Sequence, residues 1–433
     1  MTVLDPAIVP DNSARPSSAE TSQLARSWKV PISLGVFAII TILLFVVFGR
    51  SGTSTFSFTA SGAGAIKLPE LPISVRGIGV GVAIITVLMA IGSAVFIGRR
   101  MKVPLWYIAL FTVIAVVGFL AWATAGHTVP ITGMLVQSLA LSTPLIFGAL
   151  GGVISERVGI VNVAIEGQLL AGAFTSAVTA SITHSVVAGI IAAMVAGVLV
   201  SFVLGAFAIK YAVNQVIVGI VLNGLVLALT TFLYQTVLVN ATDTLNSPPL
   251  LHAVAIPGLS LIPIIGPLLF DQTVIVYLMY IAVVAVFIGL FRTRWGLRVR
   301  SVGEHPQAAD TVGINVARTR FWNVALAGAI VGLGGAYFTL GNIGSFTQNI
   351  TSGAGYIALA AVIFGRWDPV RSSLAALLFG FANELQYLLN GLGSPVPSDF
   401  LLMLPYVVTI FAVAGLVGRS RGPAASGRPY IKS

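Results

Sequence analysis

No cysteine occurs in the chain. That absence excludes disulfides, thiolate metal sites and a cysteine nucleophile. The four histidines, His127, His184, His252 and His305, are scattered, and no HExxH pattern occurs. No lysine follows a glycine. A GK[ST] phosphate loop is therefore absent, and the chain cannot by itself be a P-loop ATPase. Charge is scarce as well. Only 8% of the 433 residues are charged, against about 25% in soluble domains.

What fills the space is apolar. Hydrophobic residues make up 57% of the chain, and the mean hydropathy is +1.00. This composition describes an all-α polytopic membrane protein. The net charge of +10 reads as a positive-inside bias, not a nucleic-acid surface, because the basic residues sit at the ends of apolar runs. The first residues form a polar, Ser- and Pro-rich tail, expected to be disordered. Arg26 and Lys29 then precede the run 31–48, which reads as a retained signal-anchor helix.

A membrane crossing takes about 20 apolar residues, and on that measure about 11–12 spans are expected. The candidates are 31–48, 77–97, 104–124, 131–152, 160–182, 185–209, 212–238, 273–291, 318–340, 355–366, 371–390 and 400–417. The tenth is too short to cross as a straight helix and reads as a half-helix, or as joined to a partly unwound approach segment over 341–354. The Gly-, Ser- and Thr-rich stretch 51–76 reads as a flexible outer loop. The proline-bearing stretch 240–271 reads as a short helix or hairpin at the outer interface.

The densest basic segment is 292–320, with arginines at 292, 294, 298, 300, 318 and 320. Placing it in the cytoplasm and alternating through the spans puts twenty basic residues on the cytoplasmic side. Only Arg50, Lys67 and Arg76 remain outside. The positive-inside rule then sets both termini in the cytoplasm. The spans 131–238 and 318–417 also form two sets of four with opposite direction, an inverted-repeat plan that here rests on topology alone.

Polar residues inside apolar runs are the candidate site. A carboxylate at the bilayer centre costs at least about 2.5–3.5 kcal/mol, so it faces a cavity or a partner. Glu166 lies in such a run, with Asn162 one helical turn earlier and Gln168 two residues on. Two readings stand: a solute pathway wall, or a buried hydrogen bond locking helices together. The same two readings hold for Glu384, beside Asn383 and Gln386, and for Asn223. Glu156 and Arg157 read as an internal ion pair or a solvated turn. Asn214 reads as a helix cap. The polar segment 341–356 contains Asn342, Phe346, Gln348 and Tyr356. Two readings stand, an ordinary outer loop or an unwound approach lining a cavity, and Phe346, Tyr356 and Trp367 read either as membrane-interface anchors or as rings that stack on a ring-shaped solute. Within the basic loop, Glu304–Asp310 reads as a short helix with Pro306 in its first turn, preceded by Gly303 and ended by Gly313. Two readings stand here also, a docking element or an ordinary charged loop.

Four stretches then carry a resemblance: 143–168, 214–223, 303–314 and 350–369. In that order they resemble the permease subunits of ABC importers for nucleosides, in the branch related to simple-sugar and branched-chain amino-acid permeases. The resemblance covers roughly 130–417 and implies a type II importer-like permease core. It implies partners too: two ABC ATPase subunits that bind ATP and Mg, a second permease subunit, and a lipid-anchored solute-binding protein in a bacterial plasma membrane. No cofactor is implied in this chain, and no enzymatic role. The loop 303–314 is similar to the family's coupling helix, so Gly303, Glu304, Pro306, Ala308, Ala309 and Gly313 are expected to contact the ATPase. His305 stands where the pattern commonly has asparagine, and Gly353–Tyr356 where it commonly has Gly-Arg-Gly-Phe.

The resulting organisation is a cytoplasmic tail at 1–30, extra helices over 31–127, a permease core over 128–418 holding the 292–320 loop, and a tail at 419–433. The expected solute is a nucleoside. The alternatives are a simple sugar or branched-chain amino acid on the same fold, or a proton-coupled secondary transporter with Glu166 or Glu384 as carrier.

Overall fold

The computed structural model describes residues 28–59, 68–394, 396–397, 399–401, 403 and 422–431. The expected disordered tail and most of the twelfth expected helix, 400–417, lie outside the described residues. Among the described residues, eight helices are long and apolar enough to cross a membrane.

The chain divides into two compact units. The first comprises Met1–Gly49 and Arg76–Phe119. It holds α1 (Lys29–Ile42), nearly all of α2 (Val75–Gly98) and most of α3 (Leu105–Ala123). Its interior is small: Leu34, Met89 and Phe111 cluster, and the Thr41 and Thr86 hydroxyls are hydrogen-bonded at 2.8 Å. A hydroxyl pair of this kind satisfies both groups where lipid offers no partner.

The second unit comprises Arg50–Val75 and Leu120–Ser433. Part of its 51–76 stretch is a ribbon, not the flexible loop the composition suggests. β1 (Thr53–Ser57) pairs antiparallel with β2 (Leu71–Ser74) and parallel with β3 (Thr128–Pro130), in the order β2-β1-β3. Alternating Thr, Ser and Phe suit a half-buried strand, and Ser54 is tied to Thr124 at 2.9 Å.

The core of this unit is built on α4 (Ile131–Arg157). Nearly every residue of α4 from Ser142 to Glu156 is buried, as an all-round apolar helix must be when other helices surround it. Around it lie α5 (Ile165–Thr183), α6 (Val186–Gly205), α7 (Gln215–Leu233), α9 (Val274–Arg292), α12 (Val316–Ala336), α13 (Ala354–Phe364) and α14 (Pro369–Gly391). Between α7 and α9 run the short α8 (Thr242–Leu245) and the antiparallel pair β4 (Val254–Ala255) and β5 (Asp271–Gln272), so the 240–271 stretch holds both a helical turn and a ribbon.

The packing has an exchange symmetry. α6 packs on α12 as α14 packs on α4, and α5 packs on α12 as α13 packs on α4. Swapping α4, α5, α6 for α12, α13, α14 thus maps these pairings onto one another, as two structural repeats would. Small residues permit the closest crossing: a Cβ on Gly197 of α6 would strike the Gly328 carbonyl of α12.

Both repeats break after their first helix. α4 stops at Arg157, and 158–164 is non-helical before α5 starts at Ile165. The sequence suggests one helix from 160, with Asn162 and Glu166 on a shared face. Asn162 instead lies in the turn that leads into α5. In the other repeat α12 ends in a π-helical turn, Tyr337–Ile343, and irregular chain leads to α13. With 11 residues, α13 is about 17 Å long, roughly half of a hydrocarbon core, as a half-helix should be.

On the loop between α9 and α12 stand α10 (Arg294–Glu304) and α11 (Pro306–Thr311). α10 is amphipathic: Val299, Val302 and Gly303 are buried, while Arg294, Leu297 and Arg298 are exposed. Thr293 caps it by accepting from the Gly296 N–H at 3.2 Å. The six arginines therefore do not act alike. Arg292, Arg294, Arg298 and Arg318 are exposed, Arg300 is half-buried, and Arg320 is only 1% exposed.

Candidate functional site

The starts of α5 and α13 face each other, and Glu166 lies between them. Its Oε1 accepts from the Thr351 hydroxyl at 2.5 Å and from the Gly353 N–H at 2.9 Å. Its Oε2 accepts from the Gly355 N–H at 2.6 Å. The first N–H groups of a helix lack intrahelical partners and carry partial positive charge. The Glu166 carboxylate supplies acceptors for α13 at that point. Gly355 makes the approach feasible, since a Cβ there would sit 2.5 Å from the Glu166 Cα.

Asn223 of α7 joins the same group. Its Oδ1 accepts from the Gly167 N–H at 2.8 Å, and its Nδ2 donates to the Val163 carbonyl at 2.9 Å and to the Tyr356 hydroxyl at 3.1 Å. Tyr356 is 48% exposed although its hydroxyl is held. Glu166, Thr351, Asn223 and Tyr356 thus make one polar cluster where two broken helices meet.

Asn162 and Gln168 form a second, deeper string. The Asn162 amide donates to Gln168 Oε1 at 3.1 Å, and Gln168 Nε2 donates to the Ser201 hydroxyl at 2.9 Å. Both residues have no exposed surface. Asn162 Oδ1 is buried without a hydrogen-bond partner among the described residues. Gln215 holds the turn by accepting from the Val161 N–H at 2.7 Å. Asn214 caps α7, accepting from Val216 N–H at 3.0 Å.

Other candidates lie apart from the cluster. Asn342 and Gln348 are exposed. Phe346 is not open for stacking as its segment suggests: it is fully buried, with its ring against Phe174 at 5.2 Å and Tyr234 at 6.1 Å. Asn246 clamps its backbone, accepting at 2.6 Å and donating at 2.9 Å. Glu384 is half-buried on α14 and is not among the hydrogen-bonded partners of Glu166. Among the described residues, no group of three or more His, Cys, Asp or Glu side chains is placed to hold a metal ion.

Thr351 and Gly355 are the site residues that sequence reasoning misses. Both lie in the polar 341–356 stretch, but no spacing separates them from neighbouring serines and glycines.

The second candidate surface is α10–α11. Pro306 occupies the start of α11, where its missing N–H costs nothing. Gly313, at φ +86°, follows its end. Ala308 and Val312 lie four apart and exposed, Val312 at 76%. Gln307 and Glu304 are exposed beside them. Ala309 points inward and is 3% exposed within the main core. Gly303 is buried against the end of α4, where a Cβ would strike the Arg157 carbonyl. Glu156 and Arg157 do not turn to each other in an ion pair: Glu156 accepts from the Trp367 indole N–H, and Arg157 Nε donates to the Trp367 carbonyl at 2.9 Å.

The family described as Branched-chain amino acid transport system / permease component matches residues 134–413. The guanosine ABC transporter permease protein NupQ of Bacillus subtilis (strain 168) is 40% identical over 307 residues, 68% of this chain and 95% of its own length. The nucleoside ABC transporter permease protein NupC of Lactococcus lactis subsp. cremoris (strain MG1363) is 39% identical over 69% of this chain and 97% of its own. A putative glucose ABC transporter permease protein, TsgC13 of Haloferax volcanii, is 33% identical over 59% of this chain and 77% of its own. No solved structure is significantly similar to the chain. With more than half of its length matched by one family of polytopic permeases, and two ABC transporter permeases aligned over nearly their whole lengths, the chain belongs to the branched-chain amino acid transport system permease family.

Proposed function

We propose that this chain is the transmembrane permease subunit of an ATP-driven nucleoside importer, and that it forms the solute pathway with a second permease. The names and near full-length similarity of the guanosine and nucleoside permeases support the substrate class. The glucose permease is less similar and covers less of the chain. The observation that carries the reading is the Asn223–Tyr356 hydrogen bond beside Glu166, the cap of α13. It holds a half-exposed aromatic ring at a break between two helices, where irregular backbone is tolerated because it lines a cavity. Amide and hydroxyl groups there bond to ribose hydroxyls and base nitrogens, while the Tyr356 ring offers a face to the base.

The ATPase subunits dock on α11. Exposed Ala308 and Val312 fit an apolar groove, with Glu304 and Gln307 at the rim. ATP and Mg belong to those partners, and this chain makes and breaks no bond. ATPase closure shifts α10–α11. Because Gly303 abuts the Arg157 carbonyl, the shift reaches the α4–α5 turn, then Asn162, Glu166 and the start of α13. A lipid-anchored binding protein delivers solute at the opposite face. The distribution of basic residues supports cytoplasmic termini in a bacterial plasma membrane.

Reconstituting the chain with its partners in proteoliposomes tests the reading. Nucleoside uptake is expected only with ATP and the ATPase. Uptake on a proton gradient alone, without ATPase, would establish a secondary transporter instead.

A further inference from the structure

Residues Gly422–Tyr430, near the end of the chain, sit against the coupling surface. The Ala425 N–H donates to the Gly303 carbonyl at 2.9 Å. The Ala424 N–H donates to Glu304 Oε2 at 3.2 Å. Tyr430 is hydrogen-bonded to Asp310 of α11. Arg320 of α12 donates through Nη1 to the Arg428 carbonyl at 3.0 Å. Gly422 lies against the Trp367 ring, where a Cβ would be 3.0 Å away, and Gly427 lies against Val161, at 3.5 Å by the same measure. One short segment therefore touches α10, α11, α12, the α4–α5 turn and the turn before α14.

We propose that Gly422–Tyr430 is a positioning strap that makes α10–α11 and the α4–α5 turn move as one body, so that ATPase motion reaches the segment holding Asn162 and Glu166. The inference rests on the importer reading above. Its physical basis is that α10 meets α4 closely where Gly303 lies against the Arg157 carbonyl, a contact that transmits a push, while the attraction between Arg157 and Glu304 that opposes a pull acts through flexible side chains. The strap adds tension-bearing bonds: two backbone donors fix it to Gly303 and Glu304, and its own Pro423 and Ala425 are buried.

Arg320 shows why the strap is not ornamental. Its guanidinium is buried, and Nε and Nη2 have no hydrogen-bond partner among the described residues. The Arg428 carbonyl is the acceptor it does have. A Cβ on Gly159 would lie 2.8 Å from Arg320 Nη2 and 3.3 Å from the Ala425 carbonyl, so the α4–α5 turn, α12 and the strap meet at one point. Without the strap this charge loses its acceptor, and the joint must open to water or shift.

The test uses the complete importer in proteoliposomes, with radiolabelled guanosine as probe, and a chain lacking residues 423–433. The ATPase should still co-purify and still hydrolyse ATP. Guanosine uptake should fall roughly tenfold, a typical coupling effect. Unchanged uptake would overturn the strap. If the shortened chain does not assemble, a second variant decides. Asp310→Cys with Tyr430→Cys, in this cysteine-free chain, allows the strap to be cross-linked to α11, where the two side chains are hydrogen-bonded, by a short thiol reagent. Uptake at the same rate before and after cross-linking is expected, since strap and hairpin move together. Loss of uptake on cross-linking would show that the strap must detach, and would overturn the proposal. If the intact chain showed no ATP-dependent uptake, the importer reading would fail, which is a separate result.

Discussion

Glu166 and Gly355 meet at the start of two helices, with Glu166 Oε2 accepting from the Gly355 N–H at 2.6 Å. The carboxylate that looks like a pathway or proton-carrying group in the sequence is therefore first a cap on α13. A carboxylate taking up the free donors of a broken helix is stabilised in place. It also ties the two repeats together at the site of the proposed pathway.

Glu166→Ala should lower the unfolding free energy in detergent by about 1.5–3 kcal/mol, the net value of a hydrogen bond to a charged group. Thermal unfolding of the purified chain measures this. Glu166→Gln keeps the shape but turns one acceptor into a donor facing N–H groups, so it should recover little of the loss. A melting temperature equal to wild type in both variants would remove the capping role.

Gly355→Ala forces a methyl group onto the Glu166 backbone. An overpacking cost of about 1–3 kcal/mol is expected, together with lost uptake at normal membrane insertion. Wild-type uptake by this variant would mean that the two helix starts are further apart during transport than they are here.

Tyr356→Phe removes the hydroxyl bonded to Asn223 and leaves the ring. If the pair lines the pathway, the apparent KM for nucleoside should rise several-fold, within the roughly 1 ± 0.5 kcal/mol of one hydrogen bond, while melting temperature barely moves. A change in melting temperature without a change in KM would make the pair a packing contact only.

The two alanines of α11 separate docking from folding. Ala308→Trp and Val312→Glu alter exposed positions and should cut ATPase co-purification roughly tenfold or more, about 1.4 kcal/mol, in chains that fold normally. Ala309→Trp alters a position 3% exposed and should destabilise the chain itself. Equal co-purification for Ala308→Trp, Val312→Glu and wild type would move docking elsewhere.

Much of the architecture is legible in the sequence because lipid demands long apolar helices, and those runs are plain. The half-helix at α13 and the short helix at Pro306 are legible for the same kind of reason: one is too short to cross, the other carries its own start and stop residues. Contacts between distant segments are not legible. Arg320 reads as one of six cytoplasmic arginines, yet it is sealed under Arg428, 108 residues away in sequence. Phe346 reads as an open aromatic in a polar loop, yet Asn246, 100 residues earlier, clamps it into the core. The break before α5 is hidden because Val161, Val163 and Ala164 continue the apolar run. What stops the helix there is Gly159, at φ +92°, and the Gln215 side chain that binds the Val161 N–H.

The central claim is an ATP-driven nucleoside pathway, and the most direct measurement is radiolabelled guanosine uptake by the reconstituted complex with a panel of competitors. The account predicts uptake that needs ATP hydrolysis and is suppressed by excess unlabelled nucleosides but not by glucose or leucine. Uptake that persists without the ATPase, or that glucose or leucine suppresses and nucleosides do not, would contradict it.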